Sequence, residues 1–130
     1  MLILTIRTDK PEAEIGLYND AVQVHYETWE AHRALAETLH LKIAALVKQA
    51  DAELTDIQGI VAFQGPGSFT GLRIGLTVAN ALADSLGIPI VATQSEDWIQ
   101  TGIEKLLAGK TDTIALPEYG APVHITLPKK

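Results

Sequence analysis

The apolar positions of this chain change period several times, and each change marks an element. Leu2 to Ile6 is almost continuously apolar and predicts a buried strand. Arg7-Thr8-Asp9-Lys10-Pro11 makes a polar turn, and Ala13 to Tyr18 returns as a second strand. Asn19-Asp20 has the residues of a two-residue hairpin loop. A third strand should then place Val22, Val24 and Tyr26 on one face and Gln23, His25 and Glu27 on the other. From Trp29 to Ala50 the period lengthens to that of a helix. Its main stripe is Leu35, Leu39, Ile43, Leu46, Val47 and Ala50, with a second patch of Ala34, Leu41 and Ala45. Gly59 to Phe63 predicts a strand, Thr70 to Leu86 a helix, Ile88 to Ala92 a strand of the parallel kind and Ser95 to Leu107 a last helix. Beyond Gly109 there are short apolar runs at Ile114–Leu116 and Val123–Leu127, and no repeat is visible anywhere.

The helix after the glycines is unusually apolar. Stepping about 100° per residue, only Arg73, Thr77, Asn80 and Asp84 form a polar arc, which leaves an apolar arc of roughly 220°. One core needs only about 100° of that. Gly71, Gly75, Ala79 and Ala83 also recur every four residues, a row with little side chain that admits another backbone. Two glycines inside a helix cost stability, so the row implies close contact. Together with the two-sided first helix, it predicts a partner surface at Leu35, Leu39, Leu41, Gly71, Leu72, Gly75, Leu76, Ala79 and Ala83.

Composition narrows the function classes. At 130 residues, 47% hydrophobic and 20% charged, the chain reads as one soluble globular domain. A net charge of −6 opposes strong direct binding of nucleic acid, and two tryptophans are too few for a base-stacking platform; both fit helix-end packing, at Trp29 and Trp98. With no cysteine there is no disulfide, thiol catalysis or cysteine–zinc site, which fits a cytoplasmic protein. The N-terminal run lacks the basic start and long apolar stretch of a signal peptide, and no apolar run would span a bilayer.

Candidate chemistry centres on Gly65-Pro66-Gly67-Ser68-Phe69-Thr70-Gly71-Leu72-Arg73-Ile74-Gly75, between a strand and a helix. Such a loop can hold an anion on its N–H groups, or it can be a tight turn capped by Ser68 or Thr70. The familiar fingerprints fail. Walker A needs a lysine, the dinucleotide motif needs one residue fewer before the third glycine, and a nucleophile elbow needs a residue between glycine and serine. His25, His32 and His40 lack the spacing of a metal set, and His32 suits packing. A metal-dependent nuclease would need acids on the first strand, which ends at Arg7 with Asp9 only in the turn.

The order βββαβαβα is that of an α/β ribonuclease-H-like lobe, which is also half of the actin-like ATPase fold. The run Gly65 to Gly75, with the apolar strand before it and the Leu86–Ala92 strand after it, resembles the signature of the TsaB (YeaZ) family. The resemblance covers about residues 1–107 and leaves 108–130 as a short extension, a remnant of the second lobe that typical members carry. It implies a catalytically silent lobe with no metal or cofactor, which supports TsaD, the related subunit that transfers threonylcarbamoyl to an adenosine of tRNA. It also implies pairing through the first two helices, as a heterodimer with TsaD or as a homodimer. Two departures matter. Arg7-Thr8-Asp9 stands where the family carries Asp-Thr-Ser, which removes the acid that actin-like nucleotide sites use. The short extension does not support carrying over contacts made through a second lobe, including any to the TsaE ATPase. The alternative is a small nucleotide- or phosphate-binding transferase that uses the glycine loop.

Overall fold

A computed structural model describes residues 1–31, 34–67 and 69–117, with only the main chain of Phe69. Expectations placed on His32, Ser68 and the Val123–Leu127 run fall outside these residues. Five strands, β1 (Leu2–Arg7), β2 (Glu12–Asn19), β3 (Val22–Glu30), β4 (Gly59–Phe63) and β5 (Ile90–Thr93), form one sheet in the order β3-β2-β1-β4-β5. β1, β2 and β3 pair antiparallel, while β4 runs parallel to β1 and β5 parallel to β4. Three helices complete the lobe: α1 (Leu35–Gln49), α2 (Phe69–Leu86) and α3 (Trp98–Leu107). This mixed sheet is the predicted ribonuclease-H-like arrangement.

Alternation along β1 assigns the helices to the two faces. Thr8, just past the strand, meets α2 at Gly75, whereas Arg7 lies over the Phe63 ring, itself edge-on to Trp98 at the start of α3. α1 and α2 therefore cover one face and α3 the other. Leu35, Leu39, Ile43, Leu46 and Val47 of α1 and Leu72, Leu76, Ala79 and Ala83 of α2 are buried with Leu4, Ile6, Ile15 and Ile60 of the sheet. On the far face, Gly102 lets α3 settle against Val61, and Leu106 packs over Gly59.

Several boundaries differ from expectation, each for a local reason. Trp29 belongs to β3, paired with Ala13, because the antiparallel ladder continues to Glu30; its indole N–H donates to Thr38 Oγ1 of α1 at 3.1 Å. The hairpin loop is Asp20-Ala21, one residue later than predicted, with Asn19 paired to Val22 and Asp20 at φ 52°. The β2–β3 register shifts between Leu17 and Tyr18, which leaves Val24 as an extra residue of β3, and Val22 and Val24 are both exposed on this edge strand. α3 starts at Trp98, since Ser95 takes φ 79° and its carbonyl accepts from the Trp98 amide in a preceding turn. Residues 111–115 seal the other edge: the Ala92 amide donates to Asp112 Oδ2 at 2.8 Å, and Asn80 pairs with both main-chain groups of Ala115.

The main correction concerns the small-residue row. A Cβ on Gly75 would stand 2.0 Å from Thr8 Oγ1 and 2.9 Å from its Cγ2, and Ala79 and Ala83 are buried beneath the same helix. What Gly75 admits is Thr8 of the protein's own β1–β2 turn. A bulky residue at Gly75 would therefore unseat α2, not a partner. We expect Gly75→Ala to cost about 1–3 kcal/mol by overpacking, against the small gain in helix propensity. Urea denaturation checks this, and Thr8→Ala in the same chain should restore part of the loss.

Candidate partner interface

The glycine loop is built on the turn that follows β1. The Thr8 hydroxyl donates to the Gly71 carbonyl at 2.7 Å, tying the first turn of α2 to the turn after β1. Gly67 lies directly over Asp9, whose Cβ would sit 2.3 Å from any Cβ placed there. The Gly65–Pro66 peptide is cis, and Gly65 adopts φ 119°, a conformation that favours glycine. Asp9 is held by Arg7 through two contacts, Nε to Oδ1 at 2.7 Å and a terminal nitrogen to Oδ2 at 3.2 Å. The loop thus rests on an internal ion pair whose carboxylate is already engaged.

The predicted interface residues divide sharply by burial. Leu35, Leu39, Leu72, Gly75, Leu76, Ala79 and Ala83 lie in the lobe's own core, and Gly71 is half-buried at the Thr8 contact. Leu41 alone among them is fully presented, at 71% exposure. Arg73 and Thr70 of the signature run are exposed on the outer side of α2, and Pro66 is exposed at the loop.

The first two helices, which the sequence reading named for pairing, meet along an outward seam whose lining residues that reading did not name. A groove of about 460 Å³ lies between Ala36 and His40 on one side and Thr70, Arg73, Ile74 and Thr77 on the other. A second, of about 230 Å³, continues past His40 and Ala44 to Leu54, Ala81 and Leu82. Ala36, Ala44 and Ala81 are exposed, so this seam is apolar and small-sided. Its signals in sequence were the two-sided α1 and the wide apolar arc of α2, but alanines carry too little hydropathy to declare which residues line it. His40 is on this seam and His25 on β3, and among the described residues no three His, Asp or Glu converge on a metal position.

The opposite sheet face carries a polar cluster. Gly16 has no side chain because Thr5 and the rings of Tyr18 and Tyr26 crowd over it, each within 2.8 Å of where its Cβ would be. Tyr26 donates a short hydrogen bond to Glu14, which also meets Lys10 at 3.2 Å. Burial, then the Glu14 hydrogen bond and charge, push the Tyr26 hydroxyl well above its ordinary value; burial and Glu14 also raise Tyr18. With a raised folded value, Tyr26 adds nothing pH-dependent below the unfolded value of about 10. Above it the unfolded chain ionises first, so stability falls as pH rises. Denaturation midpoints followed past pH 10 should drop, and Tyr26→Phe should flatten that drop.

Sheet order, helix placement and a glycine loop seated on the β1–β2 turn define one ribonuclease-H-like lobe of the actin-like ATPase class. The family model described as tRNA N6-adenosine threonylcarbamoyltransferase, TsaD, matches residues 29–104. The tRNA threonylcarbamoyladenosine biosynthesis protein TsaB of Escherichia coli is 30% identical over 115 residues, covering 83% of this chain and 49% of that protein. The TsaB of Bacillus subtilis is 38% identical over 96 residues, covering 73% and 42%. The solved structure of YeaZ from Pseudomonas aeruginosa superimposes with a TM-score of 0.63 at 28% identity, covering 72% of this chain and 43% of that one. The chain belongs to this family, and within it to the TsaB (YeaZ) proteins. It spans about half the length of the curated relatives it matches.

Proposed function

We propose that this chain is a non-catalytic assembly subunit of the tRNA threonylcarbamoyladenosine machinery in the cytoplasm, pairing with the related threonylcarbamoyltransferase subunit. The pairing surface is the outward seam of α1 and α2, and the observation that carries the reading is that seam: solvent-facing and lined largely by Ala36, Ala44, Leu54, Ile74, Ala81 and Leu82. Pairing two such helices with two from a related lobe would bury about 800 Å² per partner, the size of an ordinary stable interface. Alanines at Ala36, Ala44 and Ala81 would let the helices approach closely. The Asp9 carboxylate nearest the loop is engaged by Arg7, which supports a supporting role over a chemical one. Function would then be differential: the partner's active arrangement is stabilised because the seam fits it better than any other.

The test is light scattering on a sizing column, of this chain alone and mixed with the transferase subunit of the same organism. A heterodimer that replaces any homodimer is expected; two species eluting independently would sink the reading. Ala44→Glu and Ala81→Glu place a charge on the seam and should weaken pairing at least about tenfold. Because both residues are exposed, the thermal midpoint of the isolated chain should stay where it is, unlike that of Gly75→Ala.

A further inference from the structure

We infer that the α3 face of the sheet holds a seat for one more helix, and that its occupant is a basic amphipathic helix supplied by another protein. This seat lies on the sheet face opposite the α1–α2 seam, so both surfaces can be filled at once. Strands in a sheet stand about 4.8 Å apart and a helix with its side chains is about 10 Å wide, so five strands take two helices on a face. α1 and α2 meet that requirement on one side. On the other, α3 alone is set over β4 and β5, with Gly102 against Val61, Leu106 over Gly59 and the Thr93 hydroxyl donating to the Trp98 carbonyl. Beside it, toward β2, runs a groove of about 430 Å³ between Tyr18 and Ala21 of the hairpin and Ile99, Ile103 and Leu107 of α3. Leu107 is 50% exposed there. The residues that α3 turns to this groove, Ile99, Gln100, Ile103, Glu104 and Leu107, recur at intervals of three and four, the spacing of a stripe that lies along a second helix.

Charge selects the occupant. Glu96 and Asp97 stand at the N-terminal end of α3 and Glu104 about two helical turns further on, all three exposed, and among the described residues lining the groove there is no cation. The cations nearby are already paired: the N-terminus with Asp20, Arg7 with Asp9 and Lys10 with Glu14. Lys105 projects from the far side of α3, about 160° round from the middle of the stripe. Lys110 follows the Gly109 turn, which carries the chain away to the β5 edge, where Thr111 bonds Ile90. Glu96 and Asp97 gain from the positive end of the α3 dipole, but Glu104 is in the last turn, where a carboxylate is disfavoured, so helix stability does not account for it. Such a rim repels nucleic acid and anionic surfaces. Two copies laid α3 on α3 bring acid to acid whichever way they run, because both ends of the stripe are acidic. A helix with apolar residues three and four apart and Lys or Arg at either end fills the stripe and meets the carboxylates. The bonds of Tyr18 to Gln23 and of Tyr26 to Glu14 stay intact beneath it.

The probe is a synthetic leucine–lysine peptide of about 18 residues with its leucines on one helical face, past the length at which isolated helices are marginal. Its control is an isomer of the same composition with the leucines spread round the helix. Titrated into the full chain and followed by amide NMR, the first peptide should shift signals along α3 and at residues 18–21, and the isomer should bind at least about tenfold more weakly. Leu107→Lys should weaken the first peptide at least about tenfold, and Asp97→Asn with Glu104→Gln should remove most of the salt dependence. All three positions are exposed, so circular dichroism should show an unchanged fold. Absence of binding overturns the inference, as do shifts that fall on the α1–α2 seam instead. Equal binding of the isomer also overturns it, because charge alone would then be at work. Signals along α3 that move with protein concentration and without peptide would assign the groove to a second copy. None of these outcomes touches the α1–α2 reading, which rests on the other face.

Discussion

Helix α2 lies against the end of β1 with no side chain of its own between them, and the remainder of the lobe follows from that contact. Gly75 makes the approach possible, since its missing Cβ is the space that Thr8 fills. The Thr8 hydroxyl then fastens the helix by bonding the Gly71 carbonyl. Once α2 is held there, the loop before it must cross the β1–β2 turn, and Gly67 passes over Asp9 at a separation no side chain would permit. Thr8 is buried, so its hydroxyl has little water to lose the bond to. Gly67 and Gly75 of the signature run are therefore explained by steric contact with the turn, and Gly65 by its φ of 119°.

The same contact fixes the orientation of α2 about its axis and so decides which residues remain outside. With Gly71, Gly75, Ala79 and Ala83 turned inward, the opposite side presents Thr70, Arg73, Thr77 and Ala81. α1 packs beside it with Leu35, Leu39, Ile43, Leu46 and Val47 inward, which leaves Ala36, His40 and Ala44 along the seam. A surface built this way has modest hydropathy per residue but little relief. In the pairing proposed above, small side chains on both sides would bring a partner's helices within close reach, where packing contacts accumulate. Both helices are braced by the sheet beneath, so such pairing would carry little ordering cost.

Much of this was legible in the sequence. Strand and helix order, and β4 to the residue, follow from periodicity, because an apolar run of five between turn signals has few other solutions. The face assignment of α2 was not legible. A row of small residues every four positions states that something comes close, but the spacing is identical whether that something is a partner or the chain's own turn. Only the tertiary position of Thr8, sixty-three residues from the carbonyl it bonds, distinguishes them. Trp29 misled for a related reason: at the junction of a strand and a helix both periods fit it, and the ladder to Ala13 decides. The bulge at Val24 leaves no mark in an alternating pattern, since one extra residue looks like continuation.

Two faces of the sheet have been finished in different ways, and the difference bears on where a partner can bind. On the α3 side the strands not covered by the helix are closed by the lobe's own groups: Tyr18 and Tyr26 lie over Gly16, Glu14 takes the Tyr26 hydroxyl, and Arg7 sits on Phe63 while holding Asp9. Thr5 is fully buried there, its hydroxyl without a partner, a cost accepted to keep that layer tight. A partner displacing that layer would have to break polar contacts that are already made. On the α1–α2 side the groove walls are alanine, isoleucine, valine and leucine interspersed with His40, Thr70, Arg73, Thr77 and Ser85, and their apolar part gains by being covered. That difference supports putting the proposed interface on the helices.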